Sequence, residues 1–148
     1  AVLEVLMHTI IKIAVVSVLS LFTIVGVFSI AKAEITNKAI ICEAEPFDLF
    51  YEFGEEEITH HSLSMSNDEK NTQFEYKVFT TDMSYLDFNK TAQWLEDYSE
   101  FKSRGFYLEL ENMTLSVGGR GTYQCELLLA DAFKLRLDEY VQSIQNNS

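Results

Sequence analysis

His60 and His61 are the only histidines beyond the N-terminal segment, and histidine is the side chain most often used for metal binding and acid–base chemistry. They lie in a run, residues 58–65, that favours a β-strand, and neighbouring strand residues point to opposite faces of a sheet. We therefore do not expect both histidines to bind one metal ion. The glutamates at 55–57 lack the spaced oxygen ligands and turn glycine of a calcium-binding loop, so they indicate a solvated acidic loop. No metal site and no cofactor are expected.

Ser62 and Ser64 follow the histidines, and either would be a candidate nucleophile if it met a histidine in space. The Gly-x-Ser-x-Gly elbow that presents such a serine in many hydrolases does not occur in the sequence. No pair of carboxylates stands in a recognisable catalytic context. The sequence therefore predicts no catalytic residues and a protein that is not an enzyme, with an unrecognised hydrolase as an alternative.

Two cysteines, Cys42 and Cys125, stand near the beginning and the end of the chain that follows the N-terminal segment. An even number of cysteines in an exported chain predicts a disulfide between them. There is no Cys-x-x-Cys for redox chemistry or zinc binding, and the residues before Cys42 lack the small pair of a lipoprotein signal. We therefore expect one disulfide and no acyl anchor.

An apolar segment, residues 13–31, lies between Lys12 and Lys32 and contains 19 residues without a charge. Its serines, threonine and glycine are too weakly polar to form a solvent-facing side, so the segment is apolar all round. Such a segment belongs in lipid and is predicted to form an N-terminal hydrophobic helix that precedes the β domain. It predicts that the chain is targeted to a membrane for export.

A cleavable signal peptide over residues 1–33 explains this segment. Met7 supplies a start before the apolar run. Ala31 and Ala33 match the small-x-small pattern that signal peptidase recognises, which makes Glu34 the new N-terminus. The mature protein is then periplasmic or secreted.

Two other interpretations keep the segment in the mature protein. Because 19 apolar residues nearly span a bilayer, residues 13–31 also fit an uncleaved signal anchor that ties the protein to the membrane. Glu4, before the apolar run, resembles the acidic residue near the start of type IV pilins, which favours an assembly subunit that retains residues 1–33. Membrane contact is expected only through residues 13–31, and only if the segment stays uncleaved.

The chain is strongly acidic, with a formal net charge of −12. Binding of nucleic acid or of anionic lipid headgroups requires basic residues that replace counterions. Nucleic acid is therefore not expected as a partner. A basic protein or divalent cations fit the sign of the charge, and solubility alone is the other explanation for it.

From Lys38 onward, short runs of β-forming residues alternate with polar clusters, and neither a repeat nor a linker divides residues 34–148. The clearest strand is residues 73–78, where aromatic and aliphatic side chains alternate with polar ones. Glycines at 118, 119 and 121 supply the positive φ angles of a tight hairpin turn. The candidate strands are residues 38–43, 47–53, 58–65, 72–80, 85–88, 105–111, 113–117 and 121–129. They predict one mainly β domain, an antiparallel meander, barrel or sandwich of about seven or eight short strands.

Two segments favour helices. From Asp131 onward, apolar residues recur at helical spacing opposite charged ones, which predicts a C-terminal amphipathic helix that covers the sheet or binds a partner. Its apolar stripe consists of Phe133, Leu137, Tyr140, Val141 and Ile144. Residues 91–101 indicate a second, short helix in which Trp94 and Leu95 are buried. Asn112 is expected at a bend, because asparagine tolerates positive φ.

The chain resembles small exported proteins of bacteria in its leader ending Ala-x-Ala, its first-strand cysteine (Cys42), its two-strand segment at 106–117 and its closing Tyr123, Gln124 and Cys125. It is also similar to the small β-barrel lysozyme inhibitors of the bacterial periplasm, whose disulfide ties an early strand to a late one. These resemblances imply an exported β domain with one disulfide. The inhibitory loop motif of those inhibitors does not occur in this sequence, so no activity carries over.

The function expected from these observations is that of an exported, non-enzymatic domain that binds or inhibits a basic protein, such as a lysozyme-like enzyme. The first alternative is a membrane-anchored or pilin-like assembly subunit that retains residues 1–33. The second is the unrecognised hydrolase. The intact mass of the mature protein distinguishes the first two, because only the exported form loses residues 1–33.

Overall fold

The computed structural model describes residues 2–8, 10, 34–68, 71–86, 89–99 and 102–147. The chain divides into two compact units, Ala1–Glu34 and Ile35–Ser148. In the first unit, residues 2–8 and 10 are helical, whereas the apolar run 13–31 and the alanines at 31 and 33 of the expected cleavage site lie outside the described residues. Within the ranges given above, no helix is long and apolar enough to cross a membrane.

Eight antiparallel strands form a closed barrel in which each strand pairs with its neighbours in sequence and the last pairs with the first. The strands are β1 (Lys38–Cys42), β2 (Leu49–Phe53), β3 (Glu57–Asp68), β4 (Asn71–Leu86), β5 (Thr91–Ser99), β6 (Lys102–Glu109), β7 (Thr114–Val117) and β8 (Gly121–Leu129). A helix, Ala130–Asn146, follows β8. The prediction of a mainly β domain with a C-terminal helix is confirmed, and of the three architectures expected the barrel is the one that forms.

Alternation of side chains sorts the strand residues between the barrel interior and its outer surface. On β1, Ile40 and Cys42 belong to the interior cluster, whereas Ala39 and Ile41 belong to an outer cluster. Both sets are buried, because the C-terminal helix covers the outer surface here. The interior cluster also contains Tyr51, Phe53, Ile58, Trp94, Phe106, Leu108, Leu115 and Val117. Burial on both faces explains why β1 is almost uniformly apolar.

The C-terminal helix packs on the outer surface of β1, β2 and β8 through its apolar stripe. Phe133 and Leu137 are buried. The Phe133 ring meets the Phe50 ring at a steep angle, with 6.1 Å between centroids. The Tyr140 hydroxyl accepts a hydrogen bond from the backbone N–H of Asp48 over 3.0 Å, so the helix also holds the β1–β2 loop. The predicted stripe is confirmed, and it covers the sheet.

The predicted disulfide is present between Cys42 and Cys125. The two cysteines face each other across the β1–β8 pair, where the barrel closes. The bond fastens the first strand to the last over a sequence separation of 83 residues. In the loop-entropy model, a crosslink over a loop of this length stabilises the fold by about 4 to 5 kcal/mol.

Two secondary-structure predictions are wrong. The sequence predicts a short helix at residues 91–101, but Thr91–Ser99 is β5. Trp94 is buried as expected, whereas Leu95 is 55% exposed, because neighbouring strand residues point to opposite faces. The candidate strand at 85–88 is not a separate element, since β4 continues to Leu86; residues 87 and 88 lie outside the described residues.

The turns on either side of β7 show one confirmed prediction and one difference. In the hairpin after β7, Gly119 and Gly121 adopt φ angles of 76° and 119°, as a tight turn requires, whereas Gly118 does not have the predicted positive φ. In the bend before β7, the positive φ falls on Met113, at 51°, and not on Asn112. The Asn112 side chain instead accepts a hydrogen bond from the backbone N–H of Thr114 over 3.2 Å. An asparagine can stabilise a turn through this bond without adopting positive φ itself.

Candidate functional site

A cavity of about 920 Å³ reaches into the barrel at the end that holds the β1–β2 loop and the β7–β8 turn. The loop contributes residues 44–49, and β3 contributes residues 62–65. Tyr51, His60 and Phe106 reach the cavity from inside the barrel. Pockets that hold small ligands typically enclose about 300 to 1,000 Å³, so this cavity is large enough for a ligand or for a side chain of a partner.

The cavity opens through the barrel wall where β4 and β5 separate. Among the described residues, these strands pair only from Met83 to Leu86 on β4 and from Thr91 to Trp94 on β5. Beyond this stretch β4 pairs with β3 and β5 pairs with β6, while residues 79–81 and 95–98 line the cavity. The β4–β5 wall is therefore paired near the β4–β5 connection and split beside the cavity.

Glu96 places a carboxylate in the cavity, although only 6% of the residue is exposed. Three donors bind its two oxygens. Nδ1 of His60 lies 3.0 Å from Oε2, and the Tyr98 hydroxyl donates to the same oxygen over 2.7 Å. The indole N–H of Trp94 donates to Oε1 over 3.0 Å. Hydrogen bonds of this kind offset the cost of burying a charge.

The pKa of the Glu96 carboxyl lies below its usual value. Burial acts to raise this pKa, but the hydrogen bond and charge of His60, together with the hydrogen bonds from Tyr98 and Trp94, outweigh burial. The pKa of the Tyr98 hydroxyl is raised, first by burial and then by its hydrogen bond to Glu96. At neutral pH the cavity therefore holds a negative carboxylate beside a phenol that keeps its proton.

Tyr51 packs against this cluster. Its ring stacks on the His60 imidazole with 4.5 Å between centroids, and it meets the Trp94 ring at a steep angle over 5.1 Å. The Tyr51 hydroxyl is buried and interacts with the Glu96 carboxylate, although it forms no well-directed hydrogen bond with the residues that the structure describes. Burial, followed by the charge of Glu96, raises the pKa of this hydroxyl well above its usual value. A ligand that bonded to the hydroxyl would offset the free-energy cost of burying it.

The charged side chains around the cavity are mostly acidic. They are the carboxylates of Glu45, Asp48, Glu96 and Asp97 and the basic groups of Lys77 and Arg120. Aromatic residues form much of the remaining wall, including Tyr51, Phe79, Phe106 and Tyr98. Carboxylates and aromatic rings together favour a positively charged group over a negative one.

His61, the next residue on β3, has a different environment on the outer surface. Its Nε2 is hydrogen-bonded to the Glu52 carboxylate, and its Nδ1 lies 2.6 Å from the Tyr76 hydroxyl. Because Glu52 accepts from Nε2, Nδ1 of a neutral ring accepts from Tyr76. The ring also contacts Phe133 of the C-terminal helix, with 5.6 Å between centroids. The prediction that His60 and His61 point to opposite faces is confirmed.

Of the candidate residues named from the sequence, the structure brings only some together. Ser62 and Ser64 line the cavity on the same strand as His60, and His60 is paired with Glu96. Within the described part of the chain, no group of three or more potential metal ligands is assembled. The cysteines are joined where the barrel closes.

Sequence reasoning missed Glu96, Trp94, Tyr98 and Tyr51 as site residues. Trp94, Glu96 and Tyr98 lie at every second position of β5 and therefore share one face of the strand. The prediction of a helix at residues 91–101 does not place them on a common face. Two aromatic residues that flank an acid at this spacing are the signal that was available. Tyr51 carries no such signal, because it joins the site from another strand.

Comparisons with known protein families, with curated proteins and with solved structures found no match for this chain. The assignment of a function therefore rests on the geometry and charge of the cavity.

Proposed function

We propose that this chain is a non-catalytic binding protein that holds a positively charged group of its ligand in the cavity between β4 and β5. The observation that carries the proposal is the Glu96 carboxylate, which is buried, ionised and held by three donors. Tyr51 packs beside this cluster, and its buried hydroxyl interacts with the same carboxylate. Groups that are held in place before binding need little ordering when the ligand arrives, which favours affinity.

A guanidinium or ammonium group fits the chemistry of this cavity. Acidic side chains outnumber basic ones in its lining. A cation close to an aromatic face gains about 0.5 to 2 kcal/mol, and the Phe79 ring, which lines the cavity, is 49% exposed. The net charge of −12 adds a long-range attraction for basic ligands. A basic protein, the partner expected from the sequence, would present such a group on an arginine or lysine side chain.

The single tryptophan of the chain, Trp94, reports on the cavity because its indole N–H donates to Glu96. We expect N-acetyl-arginine amide to change its fluorescence in a saturable way. N-acetyl-citrulline amide, a neutral isostere, should bind about tenfold more weakly, since it lacks the charge that Glu96 attracts. Glu96→Gln should remove the difference between the two probes. Equal, non-saturating responses of the original protein to both probes would contradict the proposal.

The compartment is part of the same proposal: the protein acts in the periplasm or as a secreted protein. The Cys42–Cys125 disulfide supports this, since such bonds persist in oxidising compartments. The alternative is a membrane-anchored or pilin-like subunit that keeps residues 13–31. The intact mass of the protein from its native host separates the two. A chain that begins at Glu34 supports export with cleavage, and a chain that retains residues 13–31 supports the anchor.

A hydrolase is the second candidate function, and one observation favours it. The His60–Glu96 pair, 3.0 Å apart, resembles the acid–imidazole pair of serine hydrolases, and Ser62 lines the same cavity. Hydrolysis of p-nitrophenyl acetate that is lost in both Ser62→Ala and His60→Gln variants would support this candidate. Hydrolysis that is unchanged in both the Ser62→Ala and the Ser64→Ala variants would reject it.

A further inference from the structure

The split in the barrel wall leaves part of the β4 backbone without a partner strand among the described residues. The backbone N–H of Met83 donates to the carbonyl of Glu56 over 2.8 Å. This bond makes the facing residues Glu57 and Asp82 a non-hydrogen-bonded pair of the antiparallel ladder. Because pair types alternate along such a ladder, the N–H and C=O groups of Val78, and of every second residue around it, point away from β3 and toward the gap.

On the β5 side of the gap, part of the strand edge also lacks a partner strand among the described residues. Beyond Trp94, β5 pairs only with β6 within the described ranges, and a bulge occurs between Asp97 and Ser99. Large apolar side chains are exposed on both sides of the gap: Val78 (52%), Phe79 (49%), Leu95 (55%) and Tyr98 (50%). Open strand edges that carry such side chains are templates for the addition of another strand.

We propose that an extended, basic segment of a partner protein docks in this gap as an added strand on β4. This inference rests on the proposed function and deepens it by naming the form of the ligand. Main-chain hydrogen bonds to β4 hold the segment, and its alternate side chains point in opposite directions. A basic side chain thus enters the cavity toward Glu96, while its neighbours lie on the outer surface beside Val78. The acidic lining of the cavity and the net charge of −12 select a basic segment.

The probe for the test is the peptide acetyl-Val-Arg-Val-Arg-Val-Arg-Val-amide, added to the full chain. The matched control peptide has the same side chains and charge but carries a methyl group on every backbone nitrogen, so it cannot donate hydrogen bonds to a strand edge. Trp94 fluorescence measures the binding of both. We expect the methylated peptide to bind at least about tenfold more weakly, because it loses several main-chain hydrogen bonds.

Substitutions at Val78 test the edge itself. Val78→Pro removes a backbone donor that faces the gap and leaves the hydrogen bonds to β3 in place, whereas Val78→Ala keeps the donor and shortens the side chain. We expect about tenfold weaker peptide binding for the proline variant and a change within about twofold for the alanine variant.

Hydrogen exchange of the unaltered chain does not depend on how the variants fold. The peptide should slow exchange of the Val78 and Thr80 amides, and the methylated peptide should not.

Equal affinity of the two peptides, or slower exchange confined to other strands, would overturn strand docking. If the Val78 amide exchanges more slowly when the protein is concentrated without peptide, and light scattering gives a doubled mass, the occupant of the gap is a second copy of the chain. That result would also overturn the proposal. If N-acetyl-arginine amide binds but the two peptides bind equally, the cavity function stands and strand docking fails. If the peptide protects Val78 but N-acetyl-arginine amide does not bind, the edge docks a strand and the cavity function fails.

Discussion

His60 and His61 are neighbours in the sequence, yet the barrel places them in two different environments, and each pairs with a glutamate. Inside, His60 meets Glu96, whose side chain is 7% exposed and borders the cavity. Outside, His61 meets Glu52, whose side chain is 42% exposed. The His61 ring also contacts Phe133 of the C-terminal helix.

The comparison shows that a histidine–glutamate pair does not by itself mark a functional site. On the outer surface the His61 ring bonds to Glu52 of β2 and to Tyr76 of β4, so both ring nitrogens are already bonded to side chains of the protein. On the inner surface the pair stands beside the Tyr51 hydroxyl and a cavity open to ligands. Changes to the outer surface should therefore alter stability and leave binding intact, whereas changes to the inner surface should alter both.

Phe133→Ala should have the largest effect on stability. The Phe133 ring is buried beside Phe50 and His61, and removal of a packed aromatic ring costs about 3 to 4 kcal/mol in the free energy of unfolding. Urea unfolding followed by far-UV circular dichroism measures this loss. The affinity for N-acetyl-arginine amide should stay within about twofold of the original value. A loss of binding in a variant that is still folded would show that the two surfaces are coupled.

Glu96→Gln should have a smaller effect on stability, of about 2 kcal/mol, because an amide keeps one acceptor oxygen but turns an NH₂ group toward one of the three donors. The same urea unfolding experiment measures it. Unlike Phe133→Ala, this variant should also lose its preference for the arginine probe over the citrulline probe. Retention of that preference would place the binding charge elsewhere.

The pH dependence of stability should distinguish the inner carboxylate further. Because the pKa of Glu96 is lowered in the folded state, its contribution is present above the ordinary carboxyl value of 4.5 and is lost as the pH falls through the lowered pKa. The difference in free energy of unfolding between the original protein and Glu96→Gln should therefore shrink as the pH falls below 4.5. Urea unfolding at a series of pH values checks this. A difference that grows as the pH falls below 4.5 would contradict it.

Glu52→Gln should have the smallest effect, at most about 1 kcal/mol, because the Glu52 side chain is 42% exposed and ion pairs with access to solvent contribute little. Its binding of N-acetyl-arginine amide should match that of the original protein. This variant is the matched control for Glu96→Gln, since both remove one negative charge beside a histidine of β3. Equal effects of the two on binding would point to net charge alone as the cause.

Much of the barrel could be predicted from the sequence because its signals are local. Alternation at residues 73–78, the glycines of the β7–β8 turn and the helical spacing from Asp131 onward each need only a short stretch of chain. The strand β5 is missed because Glu96 occupies an inward-facing position where a strand pattern calls for an apolar residue. The donors from His60, Trp94 and Tyr98 make that position tolerable for a charge.

The candidate site could not be predicted in the same way, because its parts come from different strands. Tyr51 lies on β2, His60 on β3 and Glu96 on β5, and they meet only when the sheet closes into a barrel. The split between β4 and β5 is likewise a property of strand pairing and leaves no spacing in the sequence.

The most direct test follows the imidazole signals of both histidines by nuclear magnetic resonance while nitrogen-15-labelled protein is titrated with N-acetyl-arginine amide. We predict that the His60 signals shift progressively and reach saturation, while the His61 signals keep their positions. Shifts of His61 alone, equal shifts of both rings, or no shift of His60 at saturating probe would contradict the assignment of the cavity as the binding site.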